Sequence, residues 1–391
     1  MIFAQKKLPL KCLPPSPNVP MKITDLTKLS ILPFQTIEVK EGVYIRRGIS
    51  QFCVKGEQVA EIVKNLQRAL TQNSLTLPEI LALFSGADRD SIRALLGELV
   101  KRRFVVPMED VLQVSGKEGK ESAEDIFYWH FNQTGKRIEN LNSGPMAIVG
   151  ANKLGLAVCQ ALSRSHAQNI TLIDDIPLRN IDYSQPDGQL NRDRLLLQEP
   201  VIIDSKSLND DKLKAFEMLV VCAEFGGRSI LREWNRYALQ FQLPFVPVFL
   251  DDLIGYVGPL VFPKETACLE CFYARQNSHL TNFKERQALK QHDREGQKFV
   301  AYHPAMLNVL AEVAAFEILR FRTNMWQHKI GKLVEIDLIS SSMTTRKVIK
   351  VPRCPACSSL HDFAPPNTSK KQSTEKMWEN LERIGGDYKR V

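Results

Sequence analysis

Two short cysteine pairs, Cys268-Leu-Glu-Cys271 and Cys354-Pro-Ala-Cys357, stand far apart in the chain and constrain its fold more than any other feature. In each pair, two intervening residues let both thiolates come to one side of a tight knuckle. Four thiolates form the ligand set of a closed tetrahedral zinc site, which leaves no position for substrate and is therefore structural. The pairs predict that segments near 270 and 355 meet in space, so that the C-terminal half of the chain folds as one body. For one motif alone, a redox Cys-x-x-Cys and a chance pair compete with this reading. Two pairs, each beside proline and β-type residues, favour zinc.

The remaining composition is that of an ordinary globular chain. The 391 residues are enough for about two or three domains. No apolar run is long enough to cross a bilayer, and the N-terminal apolar stretches are too short for a secretory signal, so a cytoplasmic protein is expected. Cys12, Cys53, Cys159 and Cys222 are scattered without a disulfide pattern, and Cys159 and Cys222 lie in apolar segments as core residues. The formal net charge of +8 suits an acidic partner such as a peptide. It does not argue for nucleic acid, because no basic stripe carries interleaved aromatics.

Hydrophobic periodicity divides the chain. Residues 1–32 hold several prolines without periodicity and read as a loose arm. From Thr36 to Gly48 apolar and polar residues alternate around Gly42, a hairpin signal, and Gln51-Phe-Cys-Val-Lys-Gly adds a third strand. Three amphipathic helices follow, over 57–70, 77–84 and 88–101, and the segment from Arg103 returns as a strand. A small sheet, three helices and a returning strand make residues 33–107 a winged-helix arrangement. Residues 108–144 read as a polar linker with a helix over 123–137.

A second domain, 145–362, opens with the buried strand Met146-Ala-Ile-Val and the turn Gly150-Ala-Asn-Lys-Leu-Gly155 before a helix. The next strand ends on Asp174 and Asp175, completing a βαβ unit. Further strands are expected at 200–204, 218–222, 245–249, 254–262 and 332–339, with helices over 228–240 and 304–321. Strands alternating with helices imply an α/β domain with a mostly parallel, covered sheet. Residues 363–391 read as a flexible tail.

The glycine turn sits where backbone N–H groups at a helix start can hold phosphates. Asn152 and Lys153 replace glycines common in such loops, and Lys153 offers a phosphate-binding charge. Asp174 stands where an acid accepts ribose hydroxyls. Glu224, after the strand at 218–222, stands where a carboxylate can hold Mg²⁺ on a nucleotide. Arg179, Arg192, Arg194 and Arg228 are candidate phosphate contacts or surface charges. His303, in Ala301-Tyr-His-Pro, reads as a residue of the helix start rather than a general base.

This order of elements, with Gly258-Pro-Leu-Val-Phe-Pro-Lys-Glu-Thr-Ala-Cys-Leu-Glu-Cys and Pro352-Arg-Cys-Pro-Ala-Cys, resembles the E1-like (ThiF-type) adenylating fold over about residues 145–360. It is most similar to the branch that modifies ribosomally made peptides (RiPPs), and 33–107 resembles the winged-helix precursor-recognition element of such enzymes. The resemblance implies a structural zinc on Cys268, Cys271, Cys354 and Cys357. It also implies ATP on Gly150, Asn152, Lys153, Gly155, Asp174 and Arg179, Mg²⁺ on Glu224 in a catalytic role, and a homodimer. Two departures stand out. Two loop glycines are replaced, and the family's Asn-Leu-x-Arg-Gln segment survives only as Arg179-Asn180-Ile181. Two functions follow. In the first, the N-terminal domain binds the leader of a precursor peptide and the second domain uses ATP to activate core carboxylates for dehydrative cyclisation, as in pantocin-type maturation. In the alternative, the chain is a non-catalytic leader-binding partner of a separate YcaO-type azoline cyclodehydratase. Neither nucleic acid nor membrane is an expected partner.

Overall fold

The computed structural model describes residues 24–108, 127, 144–195, 201–278, 301–323 and 331–358, apart from positions 41, 49, 57, 85–88, 226 and 252. The connecting helix expected over 123–137 and the tail expected over 363–391 fall almost wholly outside the described residues. The chain divides into two compact units, Met1–Leu141 with Arg320–His328 and Asn142–Leu319 with Lys329–Val391.

The first unit is organised by two small sheets. Strands β1 (Leu29–Ile31) and β5 (Val105–Pro107) pair antiparallel. The unit therefore begins inside the segment expected to be a loose arm. Leu29 and Ile31 are buried, and a three-residue strand is too short to show periodicity. Strands β2 (Gln35–Val39), β3 (Gly42–Arg47) and β4 (Ser50–Lys55) form an antiparallel sheet in that order. Gly42 is required at the β2–β3 turn: its φ is +154°, and a Cβ there would lie 1.9 Å from the Val54 carbonyl oxygen.

Helices α1 (Val59–Gln72), α2 (Leu77–Ala82) and α3 (Arg89–Lys101) cover this sheet's core. Val63, Leu66 and Leu70 of α1 recur at helical spacing and are buried, as do Ile92, Leu95, Leu96 and Leu99 of α3. The six-residue α2 is too short to persist on propensity alone. It is held by a capping box, in which Glu79 accepts from the Thr76 backbone N–H at 2.7 Å, and by Pro78 in the first turn.

The second unit is a mixed α/β layer structure. Its strands are β6 (Met146–Val149), β7 (Ile170–Asp174), β8 (Val201–Asp204), β9 (Met218–Ala223), β10 (Phe245–Asp251), β11 (Ile254–Val257), β12 (Lys332–Asp337) and β13 (Ser342–Lys347). They lie in the order β13-β12-β11-β10-β9-β6-β7-β8, parallel from β10 to β8 and antiparallel from β10 to β13. Every residue of β6 and β9 is buried, which is why these strands read as unbroken apolar runs.

Helices α4 (Lys153–Arg164), α5 (Asp210–Lys214), α6 (Arg228–Gln240), α7 (Leu269–Ser278) and α8 (Pro304–Arg322) complete the unit. Close packing of α8 on the sheet requires Gly255, since a Cβ there would stand 2.8 Å from the Leu310 side chain. The chain runs from β6 through β7 to β8 on one side, then returns to β9 on the other. This reversal makes the carboxyl ends of β6 and β9 a topological switch point, where open α/β sheets form their crevice.

Candidate functional site: a self-paired crevice and a four-cysteine knuckle

The switch point places the turn after β6 beside Glu224, which follows β9 directly. Gly150 has φ +118°, and a Cβ there would lie 2.5 Å from the Cys222 carbonyl oxygen; at Gly155 it would lie 2.1 Å from the Gly150 carbonyl oxygen. Both glycines are thus required by backbone packing within the chain.

Asn152 is fully buried and caps α4. Its Oδ1 accepts the Gly155 N–H, while its Nδ2 donates to the carbonyls of Leu178 and Cys222, all at 2.8 Å. The Gly150 N–H donates to the Ile173 carbonyl and the Asn152 N–H to the Gly150 carbonyl, each at 2.9 Å. The Lys153 N–H donates to Glu224 Oε2 at 3.0 Å. Four of the turn's backbone donors, at Gly150, Asn152, Lys153 and Gly155, are therefore taken by the chain itself.

Glu224 is 4 % exposed and lies against the start of α4, where the helix dipole favours an anion. Its other oxygen accepts from Asn180 Nδ2, and the Tyr302 hydroxyl donates to it. Burial pushes the Glu224 carboxyl above its ordinary range, opposed by these bonds and by the Lys153 charge. Lys153 Nζ pairs with Asp182 at 2.8 Å, and that bond raises the lysine above its ordinary value.

Asp174 ends β7 as expected, but the guanidinium of Arg179 forks onto it through Nε and Nη2, with both side chains 5 % exposed. A third bond ties Arg179 to the Gly188 carbonyl at 2.7 Å. Asp175 accepts from Trp234 Nε1 at 2.9 Å and from Ser205.

The other candidates lie in structural contacts. Arg194 donates to the Asp182 carbonyl at 3.0 Å, and Arg192 to that of Ile202 at 3.5 Å. Arg228 pairs with Asp251 and stacks over Tyr273. His303 Nδ1 accepts the Ala305 N–H, as fits a residue of the helix start. Sequence reasoning overlooked Asn180, Asp182 and Tyr302 as partners of the crevice. Tyr302 adjoins the histidine that drew attention, and Asn180 lies in the degenerate segment after Asp174. No spacing rule singles out either one.

The four cysteines meet. Cys268 and Cys271 stand 3.9 Å apart, Cys268 and Cys354 3.6 Å, and Cys271 and Cys357 3.5 Å, sulfur to sulfur. All four sulfurs lie within 4.8 Å of one another. Tetrahedral Zn–S bonds of about 2.3 Å give sulfur–sulfur edges of about 3.8 Å, so the set fits a zinc ion. Backbone N–H groups of Val351 and Ala356 reach the sulfurs, a usual support for thiolates. Hydrogen bonds from its neighbours pull the Cys271 thiol well below its ordinary range, and its bond to Cys271 holds Cys268 above. Four sulfurs at this spacing offer a metal ion a complete set of soft ligands.

No sequence-family model and no curated protein sequence matches the chain. Solved structures do match, and they define the fold as one shared with MccB and with the heterocyclase TruD. The MccB of E. coli aligns with TM-score 0.60 and 15% identity over 87% of this chain and 100% of its own. E. coli MccB with AMPCPP and selenomethionine MccA aligns with TM-score 0.58 and 17% identity over 84% of this chain and 99% of its own. The heterocyclase TruD aligns with TM-score 0.55 and 18% identity over 85% of this chain but only 43% of its own. Among the described residues, no helix is long and apolar enough to cross a membrane.

Proposed function

We propose that this protein captures the leader of a ribosomally made precursor peptide and presents the peptide to a separate ATP-consuming enzyme of the YcaO cyclodehydratase type, spending no ATP itself. The observation that carries this reading is the closed state of the switch-point crevice. Glu224 sits on the helix start where a phosphate would bind, and Arg179 covers the acid that would meet a ribose. Opening the site for ATP requires breaking both arrangements, and the buried Asp174–Arg179 pair alone is of a kind that costs about 3–5 kcal/mol to disrupt.

Capture of the leader is assigned to residues 33–107, read as a winged helix. Strand β4 is an edge of its sheet, and Phe52 on it packs against Phe104 with ring centroids 5.5 Å apart. Arg102, just past α3, lies 4.8 Å over the same ring. A peptide added beside β4 gains main-chain hydrogen bonds, with α3 as the wall. Tethering the leader raises the local concentration of the core peptide at the partner's active site. In this reading a zinc ion on Cys268, Cys271, Cys354 and Cys357 closes the second unit and takes no part in chemistry.

A second reading, in which this chain adenylates carboxylates itself with ATP and Mg²⁺, is favoured by one observation: Asp174 and Glu224 both stand at strand ends beside the switch point, on a fold shared with MccB bound to AMPCPP. One assay decides. The purified chain is incubated with ATP, Mg²⁺ and a candidate precursor peptide, and nucleotide release and peptide mass are followed. Tight peptide binding without AMP or ADP release is expected. Nucleotide turnover with loss of water from the peptide would overturn the proposal.

A further inference from the structure

The large sheet ends on one side at β13, and this edge differs from its opposite. At the β8 edge, Arg192 reaches the Ile202 carbonyl. Among the described residues β13 pairs with β12 alone, and all six residues of β13 are exposed. The register fixes which main-chain groups face outward. Val348 donates to the Gly331 carbonyl at 3.0 Å, so that pair is hydrogen-bonded. Opposed residues alternate between bonded and non-bonded pairs along an antiparallel ladder. Continuing through Lys332↔Lys347, Leu333↔Arg346, Val334↔Thr345 and Ile336↔Met343, the residues whose N–H and C=O point away from β12 are Met343, Thr345 and Lys347.

Charge narrows the choice of occupant. Residues 338–353 contain Arg346, Lys347, Lys350 and Arg353 and no acid. Glu335 of β12 offsets Arg346 at 3.3 Å, but no such bridge is made to Lys347 among the described residues. A second copy of this chain would set one basic edge against another, whereas an acidic strand would place opposite charges across the new ladder, where such pairs are favourable.

We infer that β13 is the docking edge for an acidic, extended segment of the ATP-consuming partner enzyme, which adds as a ninth strand through Met343, Thr345 and Lys347. In TruD the matching part is 43% of the chain, and under the proposed function this edge supplies a non-covalent joint to the enzyme served. The inference rests on the proposed function only in naming that source. The nucleotide-turnover assay tests the function, while the edge is tested by binding alone.

The probe is a labelled synthetic peptide alternating Glu with Val and Thr, with a Lys-for-Glu counterpart, titrated against the full-length protein. The acidic peptide is expected to bind more than about tenfold tighter than the basic one, and to weaken with salt. Thr345→Pro removes an outward N–H, a change an edge strand tolerates, and is expected to abolish binding with an unchanged melting temperature. Should that variant unfold, the double variant Arg346→Glu, Lys347→Glu is expected to reverse the charge preference. Equal binding of both peptides, or retained preference in the charge-reversed variant, overturns the inference. So does concentration-dependent self-association that the β13 variants remove, which would assign the edge to a second copy.

Discussion

The cysteine knuckle and the glycine turn both lie where distant segments cross, yet their polar groups end in opposite states. In the turn, Asn152, Lys153, Asp174, Arg179, Asn180 and Glu224 satisfy one another. In the knuckle, four sulfurs crowd within 4.8 Å in a set that fits a metal ion. The contrast separates two kinds of motif. A set of groups that is complete without a ligand is built for the fold, whereas a set left incomplete is built for something that binds.

The largest expected effect tests the incomplete set. Metal analysis should find one zinc per chain, and Cys268→Ser or chelation should unfold the second unit, because structural zinc contributes on the order of 10 kcal/mol. A metal-free protein with an unchanged melting transition would break the comparison at its stronger end. Next, Arg179→Met should destabilise by about 3–5 kcal/mol in urea titrations, since it leaves Asp174 buried and unpaired. A neutral result would mean that Asp174 is free to serve a ligand.

Asn152→Ala should cost about 3 kcal/mol, because it strands the Gly155 N–H and two carbonyls in a dry interior. ATP should not restore that stability, and a clear rise of the melting temperature with ATP would count against self-completion. The smallest effect is a pH slope. Burial raises the folded-state pKa of Glu224 above its unfolded value near 4.5, so the folded state holds its proton more tightly. The resulting stabilisation is fully present below the unfolded value and is lost as pH rises through the folded one. Glu224→Gln should flatten the stability profile in that window, as measured by denaturation at stepped pH.

Much of this was legible from residue order. The apolar runs of β6 and β9, the stripes of α1 and α3, the Gly42 hairpin and the meeting of the two cysteine pairs each follow from one local pattern with one physical meaning. The legible signals share a buried face. Strand β13 gave none, because Ser342-Met-Thr-Thr-Arg-Lys is exposed on both faces and nothing forces alternation on it. Strand β1 was hidden by its three-residue length. The closure of the crevice was illegible for another reason. Asn180 and Tyr302 reach Glu224 from remote sequence positions, and only the fold brings together partners that no spacing rule connects.

The knuckle also sets a schedule for making the molecule. Its two halves are 86 residues apart in the chain, so at a ribosomal pace of about 5–20 residues per second the first pair waits roughly 4–17 seconds for the second. During that interval two adjacent thiols hang open, the last two strands of the sheet are still to be made, and an oxidant can claim the sulfurs. If the knuckle takes the zinc ion proposed for it, supply of the metal at the moment of synthesis, rather than its abundance afterwards, governs the yield of sound protein.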